Sequence, residues 1–235
     1  MGKTAATQGN GVRADDPRVH RIFVVGAGGF GREVIHWARD AWPDVAHKIS
    51  GFLASDSGAL DSRPSTIPII ADPSDFCPEE GSGFVLAIGI PAVRRRVAES
   101  LLSRGARFLT LVHPTAIVAP TARIGEGCVI CPHAIVSDAT TVGRFTLMNY
   151  HSSLAHDAAT GEFAVLSPYA ALGGGAEIGA DAFLGLHASV GPGKRLGPRT
   201  KVSANSAALS DAPADSIVFG VPGRVTTQLG TEAGP

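Results

Sequence analysis

Charge of either sign is scarce in this 235-residue chain: 17% of residues are charged, with 20 basic and 21 acidic side chains giving a formal net charge of −1. No broad basic field exists to hold a nucleic acid or an anionic membrane, so any anionic partner must be small and held locally. Cysteine is nearly absent. Cys77, Cys128 and Cys131 form no even, spaced framework, which excludes a disulfide scaffold and points to a reducing, cytoplasmic compartment. Long apolar runs are missing too: stretches such as Ile22–Val25 and Val85–Ile88 fall far short of the ~18 residues of a membrane span. Residues 1–20 are polar, lack the apolar core of a secretory signal, and read as a disordered leader. Present in excess are 29 glycines, alongside a 44% hydrophobic content that argues against disorder.

The glycine is in phase with a repeat. From Val112 to Val202 every sixth residue is aliphatic, with Thr160 the one exception among sixteen positions. The position after it is mostly small, as at Gly125, Gly143, Gly161, Gly173, Gly179, Gly185, Gly191 and Gly197. A period of six fits no helix and predicts a parallel β-helix built from hexapeptides, with a small residue where each corner turns tightly. Three hexads close one coil, so residues 18 apart stack, and Val112–Ala207 holds about five coils. The array resembles the hexapeptide-repeat acyltransferases, left-handed β-helix enzymes that use acetyl-CoA. The segment Val218-Phe219-Gly220-Val221-Pro222-Gly223-Arg224 resembles the ending that follows the prism in that superfamily. The resemblance implies a homotrimer with active sites between adjacent prisms.

Ahead of the array, Ile22–Val25 reads as a buried strand running through Gly26-Ala27-Gly28-Gly29-Phe30-Gly31 into a helix over 32–42. Further strands are predicted at 49–53, 84–88 and 107–111, and a helix at 92–104, which together imply a small parallel sheet. The G-x-G-x-x-G pattern suits an anion at a helix start. The segment 21–111 has the length of one mononucleotide half, and Ala54-Ser55-Asp56 offers no well-placed acid for a ribose, so a nucleotide diphosphate fits better than NAD. The glycines alternatively serve only close strand–helix packing. The expected organisation is therefore a leader over 1–20, a small α/β half-Rossmann nucleotide-binding domain over 21–111, a left-handed parallel β-helix over 112–207, and a cap and tail over 208–235.

Together the two domains resemble the sialic acid O-acetyltransferase and nucleotide-sugar N-acetyltransferase family, over residues 21 to about 224. That resemblance implies that the N-terminal domain holds the nucleotide of the sugar, through Gly28, Gly29, Phe30 and Gly89, with His113-Pro114 opening the prism.

Acetyl transfer needs a base for the acceptor's proton, and histidine suits the task. Stacking by 18 puts His133, His151, Tyr169 and His187 in one column and Asp138, His156, Gly174 and Pro192 in another. Gly173-Gly174-Gly175 leaves His156 uncovered by side chains, and the adjacent Asp157 is placed to orient the imidazole. The family pattern agrees on a His followed by an acid, and implies an active-site Asn at Asn149. It also implies acetyl-CoA contacts at Val165, Gly174, Leu186 and Ala204. The chain departs from that pattern at Phe30, where a His is common, at Ala54-Ser55, where acids are common, and at Val165, where a second His is common. Lys194, Arg195, Arg199 and Lys201 offer a basic cluster for CoA phosphates, or else a solvated rim. The histidine column reads as the groove between subunits, a solvated ladder or, least favoured because stacked side chains do not converge, a metal site.

The reading is an acetyltransferase moving acetyl from acetyl-CoA, as co-substrate, to an amino group of a nucleotide-linked sugar, with no metal, no nucleic-acid partner and no membrane partner. O-acetylation of a sialic acid or another small hydroxyl, and a non-catalytic or metal-binding β-helix, are the alternatives.

Overall fold

A run of apolar residues bounded by turn formers makes each strand of the N-terminal sheet: β1 (Arg21–Val25), β2 (Ile49–Leu53), β3 (Ile69–Ala71), β4 (Ser82–Leu86) and β5 (Arg107–Phe108). In the computed structural model, which describes residues 13–61 and 65–227, all pairings in this sheet are parallel and the order is β3-β2-β1-β4-β5. Helix α1 (Gly29–Ala41) follows β1 and helix α2 (Pro91–Leu102) follows β4. The chain leaves β1 towards β2 on one side and later returns to β4 on the other. The C-terminal ends of β1 and β4 therefore border a topological switch point, where open α/β sheets bind ligands. Strand β3 was not anticipated. It is only three residues long and pairs with β2 through an irregular register, so tertiary pairing rather than local pattern makes it a strand.

Of the expected leader, residues 1–12 lie outside the described residues. Ala14 and Val19, however, are 3% and 2% exposed and join the core beside α1, so ordered packing begins well before Arg21.

The hexads form a left-handed parallel β-helix, each contributing a two-residue strand that pairs with the residues 18 before and after it, as Leu154 does with Val136 and Leu172. Three faces result. A plain face of six strands carries Ile117, Ile135, Ser153, Ala171, Ser189 and Ala207 outward. A charged face of five strands carries Arg123, Thr141, Ala159, Glu177 and Arg195. On the third, the covered face, Leu111, Val129, Leu147 and Val165 are 0 to 2% exposed, because the N-terminal domain packs over them. The ladder continues past residue 207: Ile217 and Val218 pair with Lys201 and Val202, and Arg224–Thr227 folds back antiparallel.

The phased glycines do not turn the corners, contrary to expectation. From Gly127 to Asn205 every sixth residue has a φ of 54° to 68°, and most are not glycine, including His133, His151, Asp157, Tyr169 and His187. The left-handed conformation costs an L-residue about 1–2 kcal/mol, which the continuous ladder must outweigh at each corner. The phased glycines sit two residues earlier and have a steric task instead. A Cβ on Gly143, Gly161, Gly179 or Gly197 would lie 2.3 to 2.5 Å from the backbone of the next coil.

Candidate active site

The edge between the plain and charged faces carries His156 and Asp157. Asp157 occupies the left-handed corner position, with φ 60°, a conformation that aspartate tolerates better than most residues. Its Oδ2 lies 2.8 Å from His156 Nδ1. A carboxylate accepts hydrogen bonds, so in the neutral imidazole this contact favours the tautomer with Nδ1–H as donor and Nε2 as acceptor. The two side chains are 69% and 66% exposed, so the pair orients the ring without burying charge.

The ring lies against Gly174, where a Cβ would stand 2.6 Å from both His156 Cε1 and Nε2. The neighbouring glycines have other reasons to be glycine. A Cβ on Gly173 would meet Pro192 N at 2.7 Å, while Gly175 takes the corner position with φ +64°. The slot beside His156 is thus partly filled by the imidazole itself, with its Nε2 side kept free of neighbouring side chains at Gly174.

The other expected site residues divide between two edges. Gly174 and Lys194 share the His156 edge. Asn149, Leu186 and Ala204 lie on the edge between the covered and plain faces, where Asn149 Oδ1 accepts the Tyr150 N–H at 2.8 Å. Within one chain the plain face separates the two sets. On the Asn149 edge the predicted column is a stack of parallel rings: centroids are 5.0 Å apart for His133–His151, 4.8 Å for His151–Tyr169 and 4.7 Å for Tyr169–His187. Among the described residues no group of three His, Cys, Asp or Glu converges for a metal ion.

Two expectations need correction. Val165 is 2% exposed and packed in the core under the N-terminal domain, so it presents no surface to a cofactor. The basic cluster is not one cluster. Arg195 lies on the charged face, its Nη2 3.3 Å from Glu177 and its backbone N–H bonded to Asp211. Arg199 bonds Asp215 through two contacts of 2.6 Å. Lys201 lies on the third face, 5.8 Å from the Phe183 ring centroid. Of the four, only Lys194 lies on the His156 edge, two coils away.

Neither prism cysteine is a nucleophile. Cys128 and Cys131 are buried, and burial pushes the Cys128 thiol up to about 12 and the Cys131 thiol well above its ordinary value.

In the N-terminal domain the glycine loop also splits by task. Gly26 has φ +111° and backs onto Ala87 O, and a Cβ on Gly31 would fall 1.9 Å from Gly26 O, so these two serve packing. A Cβ on Gly28, the N-cap of α1, would meet nothing within 4 Å, and the same holds at Gly89. Gly29 has only the tip of Arg32, at 3.8 Å. These three face open space beyond the C-terminal ends of β1 and β4, at the switch point where such sheets form a ligand crevice and where the N-terminus of α1 favours an anion. Phe30 instead turns against Trp37, ring centroids 5.9 Å apart, and is partly buried in the core. His113 is 8% exposed, with Nδ1 2.8 Å from Thr115 Oγ1 and Nε2 3.4 Å from Asp40, so it ties α1 to the first coil rather than facing a ligand.

Sequence reasoning missed Arg94, which is 0% exposed in α2 between the two domains. The available signal was the run Arg94-Arg95-Arg96 on an otherwise amphipathic helix, of which one member must face inward.

The chain thus combines a half-Rossmann sheet docked on a left-handed hexapeptide prism with an exposed His–Asp pair on a prism edge. Residues 21–101 match the PglD N-terminal domain family. Over 47 residues the chain is 49% identical to UDP-N-acetylbacillosamine N-acetyltransferase of Bacillus subtilis (strain 168), a match that spans 20% of this chain and 22% of that protein. Over nearly the full length it is similar in structure to PerB from Caulobacter crescentus, solved with CoA and GDP-perosamine: 27% identity, TM-score 0.79, covering 88% of this chain and 97% of PerB. The acetyltransferase domain of PglB from Neisseria gonorrhoeae FA1090, solved with acetyl coenzyme A, matches at 25% identity and TM-score 0.77 over 88% of this chain and 98% of that one. The chain accordingly carries a PglD-type N-terminal domain and shares the fold of PerB and the PglB acetyltransferase domain over 88% of its length.

Proposed function

We propose that the protein transfers acetyl from acetyl-CoA to the amino group of a nucleotide-linked amino sugar, with His156 as general base. The observation that carries this reading is the His156–Asp157 pair at 2.8 Å, whose Nε2 is left as the acceptor above Gly174. The amine attacks the thioester carbonyl while Nε2 takes its proton, and the resulting imidazolium is stabilised by Asp157. Collapse of the tetrahedral intermediate expels the CoA thiolate, which recovers the proton from His156. An acyl-enzyme is unnecessary, and the buried, protonated cysteines are unsuited to form one. Lys194 is the cation on this edge for a CoA phosphate, while Gly174, Leu186 and Ala204 offer small or apolar contacts to the rest of the donor.

The acceptor's nucleotide is assigned to the crevice of Gly28, Gly29 and Gly89, with Phe30 behind it. PerB binds GDP-perosamine and the Bacillus relative is named for a UDP sugar, which supports a nucleotide-linked acceptor. Among the described residues no helix is long and apolar enough to cross a membrane; we assign the protein to the cytoplasm, where nucleotide sugars and acetyl-CoA are available.

A homotrimer completes the site. Of the three faces one is covered by the chain's own domain and one is charged. The plain face is flat, uncharged and exposes Ile117 at 63% and Ile135 at 41%. Packing three prisms about a threefold axis would bring the His156 edge of one protomer to the Asn149 edge of the next, uniting the two halves of the site.

The test is acetylation of a panel of UDP- and GDP-linked 4-amino sugars, followed by thiol release and product analysis. Wild-type protein should form an N-acetyl product, and His156→Ala should lose about 10²- to 10⁴-fold in kcat, the range for a general base. Wild-type rates in the folded His156→Ala protein would overturn the assignment, and an O-acetyl product would replace the acceptor class. Mixing His156→Ala with Asn149→Ala protomers should restore activity only if sites are shared between chains.

A further inference from the structure

Arg94 is a fully buried cation with no carboxylate beside it among the described residues. The ionisable groups that act on it are the thiols of Cys128 and Cys131, which burial keeps protonated. Desolvation pulls the guanidinium down to about 10, so it still carries its charge at neutral pH. A buried, unpaired charge is costly, and a well-packed apolar side chain would stabilise the fold more cheaply. Its bonds indicate what the charge does. Nη1 donates to Leu86 O at 2.8 Å and to Ile88 O at 3.0 Å, while Nε donates to Phe145 O at 2.7 Å; Nη2 has no hydrogen-bond partner among the described residues.

These carbonyls belong to two different parts of the molecule. Leu86 ends β4 and Ile88 immediately precedes Gly89, so Nη1 grips the chain on both sides of Ala87, in one wall of the crevice. Phe145 is a corner residue of the prism, with φ 57°, stacked 4.7 Å from Phe163. A planar guanidinium reaches both at once in fixed directions; a lysine ammonium on a flexible stem cannot.

We propose that Arg94 is a positioning residue that fixes the Ala87–Gly89 wall of the nucleotide crevice to the prism, so that a nucleoside diphosphate is held at a set place relative to the prism edges. This rests on the nucleotide reading of the crevice. Arg95 provides an internal comparison. It bonds Asp181 at 2.8 Å and lies 4.2 Å over the Phe163 ring, docking the same helix to the prism without touching the crevice wall.

Calorimetric titration of UDP, GDP and CoA into wild type, Arg94→Lys, Arg94→Met and Arg95→Ala tests the assignment. Both Arg94 variants should bind the nucleotide that wild type binds with a Kd raised about tenfold or more, and CoA with a Kd changed less than about twofold. Arg95→Ala should shift neither by more than about threefold. With a nucleotide-sugar substrate, KM for that substrate should rise in the Arg94 variants while KM for acetyl-CoA holds. Wild-type nucleotide affinity in either folded Arg94 variant overturns the proposal. Equal weakening of both ligands, or failure of both variants to fold, overturns it too and leaves Arg94 a stability residue. If wild type itself binds neither UDP nor GDP while binding CoA, the nucleotide reading has failed, an outcome separate from the behaviour of the variants.

Discussion

The glycine loop after β1 and the glycine triplet beside His156 solve three identical problems with opposite results. Each has one glycine for a positive φ, Gly26 at +111° and Gly175 at +64°. Each has one for a close backbone approach, Gly31 against Gly26 O and Gly173 against Pro192 N. Each has glycine left over that neither reason explains. In the loop the leftover room, at Gly28 and Gly29, faces open space; in the triplet, at Gly174, the protein's own imidazole fills it. Room that faces outward stays open to solvent, whereas room filled by a side chain sets that side chain's position. Glycine content alone distinguishes neither.

Substitutions can break this contrast in order of expected effect. Loss of the ring itself, in His156→Ala, should be largest, at about 10²- to 10⁴-fold in kcat. Gly174→Ala should follow: the methyl meets the mobile end of the imidazole, so thermal stability should move by less than about 0.5 kcal/mol. Displacing the ring by even ~1 Å should nevertheless cost on the order of 10²-fold in kcat. An unaltered kcat would show that the ring's seat on Gly174 is incidental. Gly31→Ala should act the other way, lowering unfolding free energy by about 3 kcal/mol in denaturant titrations, since its methyl meets backbone that cannot yield. A drop of under ~1 kcal/mol would mean that the loop relaxes more readily than the geometry implies. Smallest is Gly28→Ala, where stability should change by a few tenths of a kcal/mol while nucleotide affinity falls by about tenfold. Undiminished nucleotide binding would remove Gly28 from the crevice's working surface.

Much of the prism was legible because its repeat is rigid: aliphatic residues at every sixth position and stacking at 18 follow from strand geometry with no insertions, and the ring column of His133, His151, Tyr169 and His187 stands as the arithmetic requires. The corner chemistry was not legible, because the left-handed positions are filled by His, Phe, Tyr, Asp and Asn as well as Gly, so composition there carries no consistent mark. The same spacing rule places Asn149 and His156 on different edges, since seven residues is one hexad and one step; applied only to histidines, it did not reveal that division. The basic cluster misled for a related reason. Its acidic partners, Glu177 and Asp215, lie 18 and 16 residues away along the chain and one coil away in space. Val165 fell to tertiary context: an outward strand position becomes core once a second domain sits on it. Strand β3 and Arg94 likewise depend on packing that no local pattern announces.

A solenoid whose coils touch only their neighbours would be expected to fray from its ends, one coil at a time. Here Val129, Leu147, Val165 and Phe183, from four successive coils, all pack into the same core as α1 and β1. The N-terminal domain therefore works as a splint: none of those coils can open without detaching from it, and detachment uncovers the others. Melting of the central prism becomes one cooperative event coupled to the half-Rossmann sheet, while the coils around Lys201–Val218, beyond the splint, keep the independence of a simple stack.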